Sequence, residues 1–268
     1  MNEVNEFIES NKELEKKYLI FKIKDDKYAF SIKNIKEIIT KPKVYHVPNL
    51  PDFYLGLTKL RNDIVPIISL RKRLQYNSLD DENNALIEML KQRENDHVEW
   101  LKELENSIRQ GSNFALQRDH RLCKFGQWYY SYKPDSFVLY SHLKKFEDPH
   151  KNIHSIANHA LEVQKESGSD AALAIIERTR DLQLKKMLNL FQELYKIIEN
   201  NSRETTIVFY QNNGKQIGFV VDQIDKIIEI LPENIELPDE NNPFSEYLSG
   251  IGKVGENFYL IFNEEKLT

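Results

Sequence analysis

The sequence holds a single cysteine, Cys123, among 268 residues, so no disulfide can form within the chain. A lone thiol has to find its partner among other residue types. Apolar runs are short, and none approaches the roughly 20 residues that a membrane-spanning helix needs, so no membrane insertion is expected. The first residues, Met1-Asn2-Glu3-Val4-Asn5-Glu6, lack the basic and apolar regions of a signal peptide. With one cysteine, that points to the cytoplasm. Positive charge is not in excess: 37 Lys and Arg stand against 42 Asp and Glu, for a formal charge of -5. That balance gives no general attraction to nucleic acid or anionic lipid. Signatures of catalysis are missing too. There is no phosphate-binding glycine loop, and no glycine-rich oxyanion turn accompanies the Cys123/His120 pair. His150-Lys151-Asn152-Ile153-His154 has the two-His spacing of a zinc-protease helix, but Lys151 stands where that motif needs its Glu base.

What is present changes texture twice. Tyr18 to Ile23 and Tyr28 to Ile32 flank the turn Lys24-Asp25-Asp26-Lys27 and read as a hairpin. Ile35, Ile38 and Ile39 sit at helical spacing. Pro48 and Pro51 bracket an irregular segment, and an apolar stretch from Leu60 to Leu70 ends in Arg71-Lys72-Arg73. Tyr76 to Asn84 has linker composition. Residues 1 to about 16 read as a short helix or a frayed tail.

From there the period is helical. Leu90, His97, Leu101, Leu104 and Ile108 form one stripe, and Gly111-Ser112-Asn113 ends it. A second helix is expected from Phe114 to Tyr130. A third carries Leu143, Phe146, His150, His154, Ala157 and Leu161 in register. A fourth carries Leu184, Met187, Phe191, Leu194 and Ile198 after Gly168-Ser169-Asp170, which offers an N-cap. Four amphipathic segments imply a bundle. Strand texture returns with Thr205 to Tyr210, the turn Gln211-Asn212-Asn213-Gly214, Ile217 to Val221, and Phe258 to Phe262. Residues 17–75 and 203–268 are each too few for a comfortable β-barrel alone. The expectation is an α+β multidomain chain: 17–75 and 203–268 form one β-domain, and the helices of 82–200 are inserted in it.

Three histidines, His97, His150 and His154, occupy core-facing phases, the last two one helical turn apart. A buried imidazole needs partners for both nitrogens, at a cost of about 1–3 kcal/mol for each left unmade. A metal bound to Cys123 and the three imidazoles satisfies one nitrogen on each, and this N/S donor set suits Zn²⁺. The bland alternatives stay open on periodicity alone: hydrogen-bonded core histidines, and a cysteine that is a small hydrophobe. Asp119 and His120, four and three residues before Cys123, are candidates to support a ligand from behind. His142 and His159 lie off the stripe of His150 and His154 and read as surface or loop. Trp100 and Trp128 read as packing.

These residues carry a resemblance. His97 with Trp100, Cys123-Lys124-Phe125-Gly126-Gln127-Trp128 and the His150/His154 pair resemble the chemoreceptor zinc-binding (CZB) domain. That resemblance implies a three-His, one-Cys zinc site in a four-helix bundle, linked to sensing of zinc or of oxidants such as hypochlorous acid, with Cys123 as the redox switch. The flanks are similar to a CheW-like domain. Gly56 through Leu60-Arg61-Asn62 to Pro66-Ile67 follows a Gly-xxx-Leu-Arg-Gly-xxx-Pro-Val pattern, with Asn62 in place of Gly and Ser69 in place of a frequent Asp. Gly218 to Asp222 resembles a Gly-Leu-xx-Asp strand, and Leu248 to Gly252 a glycine-rich turn. The implied fold is a pair of SH3-like β-barrels. The implied role is a non-enzymatic adaptor between chemoreceptors and the histidine kinase CheA, with Arg61 at a receptor or kinase contact and homodimerisation through the bundle. A purely structural zinc and a zinc-dependent hydrolase are the alternatives.

Overall fold

The computed structural model describes residues 14–134, 136–200, 204–211, 214–239 and 245–268. The readings of residues 1–13, of the texture change at 201–203 and of the turn centre at 212–213 lie outside them. The described parts of Met1–Leu79 and Arg203–Thr268 form one compact unit, and those of Asp80–Ser202 a second.

The first unit consists of two sheets. β1 (Lys17–Ile23) and β2 (Asp26–Ser31) are the expected hairpin. β3 (Ile35–Thr40) is a strand, although its isoleucines have helical spacing. Three β-branched isoleucines in a six-residue element fit a pleated surface, and pairing with β6 (Thr205–Tyr210) decides the matter. β4 (Tyr54–Leu60) and β5 (Asp63–Ser69) make a hairpin within the apolar stretch around Pro66. Arg61, not Asn62, adopts the left-handed backbone of its turn (φ 55°), so position 62 has no need of glycine. β7 (Gln216–Val221), β8 (Gln223–Glu229), β9 (Ile235–Glu236), β10 (Leu248–Val254) and β11 (Asn257–Phe262) complete the set. Leu248 to Gly252, read from its glycines as a turn, is therefore strand. Gly250 and Gly252 are needed there because Ile235 and Ile230 pack where a Cβ would stand.

One sheet has the order β8-β1-β2-β11-β10-β9 and the other β3-β6-β7-β5-β4. Each mixes strands from the two ends of the chain: β8 pairs with β1, β11 runs parallel to β2, and β7 runs parallel to β5. Phe21, Phe30, Phe209, Phe219 and Phe262 fill the core between the sheets. At its rim the basic run folds into a short helix, α1 (Leu70–Arg73), capped by Ser69, whose hydroxyl accepts from the Lys72 amide. Arg71 is buried and forks onto Asp222, with two bonds of 2.6 Å. The Lys24 amide donates to the same carboxylate at 2.7 Å.

The second unit is helical. α2 (Leu79–Gln110) starts inside the polar run that reads as linker, because Asp80, Asp81 and Glu82 suit the positive end of a helix dipole. The second helix is much shorter than expected. α3 spans only Lys124–Ser131, and Phe114 to Leu122 is irregular. α4 (Phe137–Leu143) runs through one 3₁₀ turn into α5 (Glu147–Ser167). α6 (Ser169–Thr179) passes through a π-helical turn at Arg180–Leu184 into α7 (Lys185–Asn200). Gly168 takes a positive φ of 89° between α5 and α6, and no side chain caps α6. The apolar stripes all turn inward: Leu90, Leu101, Leu104, Phe146, Met187, Phe191 and Leu194 share one core with Phe125 and Phe114. His142 corrects the sequence reading. It is buried, and its Nε2 donates to the Leu190 carbonyl of α7 at 2.9 Å. His159 is exposed on α5.

Candidate metal centre

The buried faces of α2 and α5 supply His97, His150 and His154, and the residue before α3 supplies Cys123. One ligand atom from each of the four lies within 4.8 Å of all the others. The Cys123 sulfur is 3.2 Å from His150 Nε2 and 3.9 Å from His97 Nε2. In a tetrahedral zinc site, bonds of roughly 2.0–2.3 Å place donors about 3.5 Å apart. The two distances straddle that value.

Cys123 is placed by the start of α3. It is the N-cap residue, with extended backbone, and its Sγ accepts from the Gly126 amide at 3.2 Å. The His120 carbonyl lies 3.3 Å from the same sulfur. To bring these groups together the chain doubles back so tightly that a Cβ on residue 126 would lie 1.9 Å from the His120 oxygen. Glycine is the residue that fits, and this closure is why the helix cannot begin at Phe114. Phe125 then points into the core with its ring against His97 and His150, at centroid distances of 5.7 Å and 4.9 Å.

The outer nitrogens of two imidazoles face carbonyl oxygens, which only accept. His97 Nδ1 donates to the Arg93 carbonyl at 2.7 Å, and His154 Nδ1 to the Gln117 carbonyl at 3.2 Å. Trp100 Nε1 donates to that same Gln117 oxygen at 2.8 Å, and its ring packs on His154 with centroids 4.7 Å apart. Both histidines are thereby fixed with Nδ1 protonated and the Nε2 lone pair free for a metal. His154 Nε2 is buried and has no hydrogen-bond partner, as expected of an atom whose partner is an ion.

Burial also sets the charge states. It pushes the His150 pKa down to about 2 and that of His154 to about 3, with further lowering from the neighbouring imidazoles, and it lowers that of His97. All three are neutral imidazoles at ordinary pH, the form in which histidine can bind a metal. Burial raises the Cys123 thiol against the lowering effect of the Gly126 and Phe125 amides. In a site without a cation the thiol keeps its proton, whereas a cation would favour the thiolate. A cavity of about 50 Å³, lined by Asp96, His97, Trp100, Cys123, Lys124, Phe125 and His154, adjoins the sulfur. The donor set, its orphaned nitrogen and its spacing fit Zn²⁺.

Asp119 and His120 lie beside the four donors rather than among them. His120 packs on His150, and its Nδ1 is 3.6 Å from Asp119 Oδ1. Arg61 belongs to the β-unit. It is 76% exposed and reaches Glu37 at 3.5 Å. The carbonyls of Arg93 and Gln117 are contributions that sequence reading misses, because a backbone oxygen leaves no mark in residue type.

Comparison with known proteins yields two family matches. A model of the CheW-like domain matches residues 17–97 and 182–268, and a model of the chemoreceptor zinc-binding domain matches residues 97–161. The chemotaxis protein CheW of Klebsiella aerogenes is 38% identical over 71 residues, which are 26% of this chain and 43% of that protein. That of Helicobacter pylori is 35% identical over 81 residues, 30% of this chain and 48% of that protein. That of Bacillus subtilis is 27% identical over 92 residues, 34% of this chain and 58% of that protein. The chain thus spans only 43–58% of the length of these curated relatives. Among solved structures, the scaffolding protein TtCheW from Thermoanaerobacter tengcongensis aligns over 94% of this chain and 91% of that one, at 14% identity and a TM-score of 0.45.

Proposed function

The chain belongs to the CheW-like family, with a chemoreceptor zinc-binding domain set between the two parts of its CheW-like domain, and on that premise we propose that it is a cytoplasmic, non-enzymatic scaffold coupling chemoreceptors to the histidine kinase CheA. In this reading residues 17–75 and 203–268 form the adaptor, Arg61 lies in its contact surface, and the insert of 82–200 reports an oxidant or zinc through Cys123. The observation that carries the sensor half is the convergence of four donors, from His97, Cys123, His150 and His154, within 4.8 Å. Four protein donors fill a tetrahedral shell and leave no position for the water that a zinc hydrolase needs. The hydrolase reading is accordingly disfavoured.

Zn²⁺, when bound, would hold Cys123 as a thiolate in an otherwise apolar pocket. The chain's own residues supply the rest. Hypochlorous acid reacts with the thiolate so that sulfur gains oxygen as a sulfenic acid, chlorine takes the electron pair, and chloride leaves. The oxidised sulfur is a poorer donor to a metal and a poorer acceptor for the Gly126 amide, so the first turn of α3 loses its cap. Phe125, next in the chain but one, is packed against Phe146 and Phe191, at centroid distances of 5.5 Å and 5.3 Å. Phe191 lies on α7, which ends at Asn200 shortly before β6 begins at Thr205. A change at Cys123 thus has a packed route to the helix that leads into the adaptor strands.

The test pairs zinc stoichiometry before and after hypochlorous acid with the activity of a reconstituted receptor–kinase array. The expected result is zinc release and a change in kinase output, both abolished in Cys123→Ala. A protein that assembles receptor and kinase but loses zinc with no change in output carries a structural zinc instead. One that assembles neither is not the adaptor.

A further inference from the structure

Each imidazole of the metal centre has an inner and an outer nitrogen, and the outer ones are not treated alike. His97 and His154 both give Nδ1 to a backbone carbonyl. His150 does not. Its Nε2 faces the Cys123 sulfur at 3.2 Å, and its Nδ1 is buried without any partner. A second orphan stands beside it: His120 Nε2 is also buried and unpartnered. The two rings are neighbours, nearly perpendicular (82°) with centroids 5.7 Å apart, so a modest approach of the two, with their nitrogens turned toward each other, would make a hydrogen bond between them. Behind His120, its Nδ1 is 3.6 Å from Asp119 Oδ1, an oxygen held in place by the Arg121 amide at 2.8 Å. Tyr130 packs on the His120 ring with centroids 6.1 Å apart.

The tautomers of this row fit together in one way. The Asp119 carboxylate is 3.6 Å from Nδ1, longer than a hydrogen bond, but its negative charge on that side favours the His120 tautomer with the proton on Nδ1 and a lone pair on Nε2. A ligand bound through Nε2 leaves His150 with its proton on Nδ1, which needs an acceptor. The two orphans are therefore a donor and an acceptor, and they complete each other once His150 serves as a ligand. We propose that His120 is a positioning residue of the metal centre, accepting a hydrogen bond from His150 Nδ1 and, backed by the Asp119 carboxylate, fixing the tautomer and the ring orientation of that ligand. This rests on the metal reading above and extends it. His150 is the one ligand in the centre aligned by side chains, where His97 and His154 are aligned by backbone. Its Nε2 lies closer to the Cys123 sulfur (3.2 Å) than that of His97 (3.9 Å), so His120 governs a ligand that adjoins that sulfur.

The test uses the full chain and four variants, His120→Ala, His120→Gln, Asp119→Asn and, as a control on the exposed face of α5, His159→Ala. Zinc affinity is measured by competition with a chromogenic chelator, ligand geometry by the spectrum of the cobalt-loaded protein, and the imidazole protons by NMR of the zinc-loaded protein. Loss of an outer partner of a metal-bound histidine costs about 10–100-fold in metal affinity. His120→Ala is expected to weaken zinc by that factor, while the stoichiometry and the tetrahedral cobalt spectrum are kept and the slowly exchanging His150 Nδ1 proton is lost. Gln can accept through Oε1, so His120→Gln recovers most of the affinity, and it stands in should the Ala variant not fold. Asp119→Asn falls between, and His159→Ala matches wild type. Affinity within twofold of wild type in His120→Ala and His120→Gln, with the Nδ1 proton retained, overturns the assignment. A cobalt spectrum in His120→Ala that shows a lost ligand overturns it too, by making His120 a ligand. A wild-type chain that binds no zinc overturns the metal reading itself and the relay with it, an outcome distinct from the others.

Discussion

At the scale of single residues, the centre rests on one glycine and on neutral imidazoles. Gly126→Ala places a methyl 1.9 Å from the His120 carbonyl, which cannot move without displacing Cys123. The expected result is a loss of about 1–3 kcal/mol in stability from overpacking, read by thermal unfolding, together with weaker zinc retention. Unchanged values for both would contradict the tight turn. The histidines set a pH dependence. In the metal-stripped protein, His150 and His154 have pKa values lowered to about 2 and about 3, against 6.5 in the unfolded chain. Between these limits the unfolded chain binds more protons, so stability rises with pH. The helical unit is then at full stability above about pH 6.5 and loses stability steadily as the pH falls toward 3. Unfolding of chelator-treated protein, followed by helical circular dichroism across that range, checks the sign. A midpoint that does not move with pH refutes it. The three candidate histidines were legible because their side chains share the inward phase of a helix, and Cys123 because it is the single cysteine. Their carbonyl partners at Arg93 and Gln117 were not, since a backbone oxygen has no identity in a sequence.

At the scale of elements, periodicity succeeded where an element buries one continuous stripe. The stripes of α2, α5 and α7 all line the core, because a 3.6-residue repeat leaves a single face to hide. It failed where partners outvote it. β3 has helical spacing, yet it lies beside β6 as a strand. Phe114 to Leu122 has helical composition, yet the return of the chain onto Gly126 keeps it irregular. His142, off the stripe of α5, is buried because it lies on a separate helix, α4, that presents it to α7. The β-unit has an element-level anchor in the buried Arg71 fork on Asp222, which joins α1 to the end of β7 and takes in the β1–β2 turn through Lys24. Asp222→Ala leaves a guanidinium buried without its carboxylate. The expected cost is about 3–5 kcal/mol, measured by urea unfolding of the β-unit. A cost under about 1 kcal/mol would mean that Arg71 finds another partner.

At the scale of the whole molecule, the two compact units have separate cores. Both sheets draw strands from both ends of the chain, so neither β-segment completes either sheet without the other. Replacing residues 80–202 with a flexible Gly/Ser linker is expected to leave a folded β-unit, with cooperative unfolding and the ring-shifted NMR resonances of the Phe21, Phe30 and Phe262 cluster. Either β-segment expressed alone is expected to remain unfolded. A linker variant that unfolds without cooperativity would show that the helices are part of the β-core. The sequence by itself determined the order β, α, β and the inward faces of the helices, and it singled out His97, Cys123, His150 and His154 as candidates, since each of these depends on residue type and local spacing. Only the tertiary structure decided that β3 is a strand, that Cys123 caps α3 from its N-terminal side and that His120 stands behind His150. Each of these depends on contacts between segments far apart in the chain, and the free energy of such contacts is written in no single stretch of it.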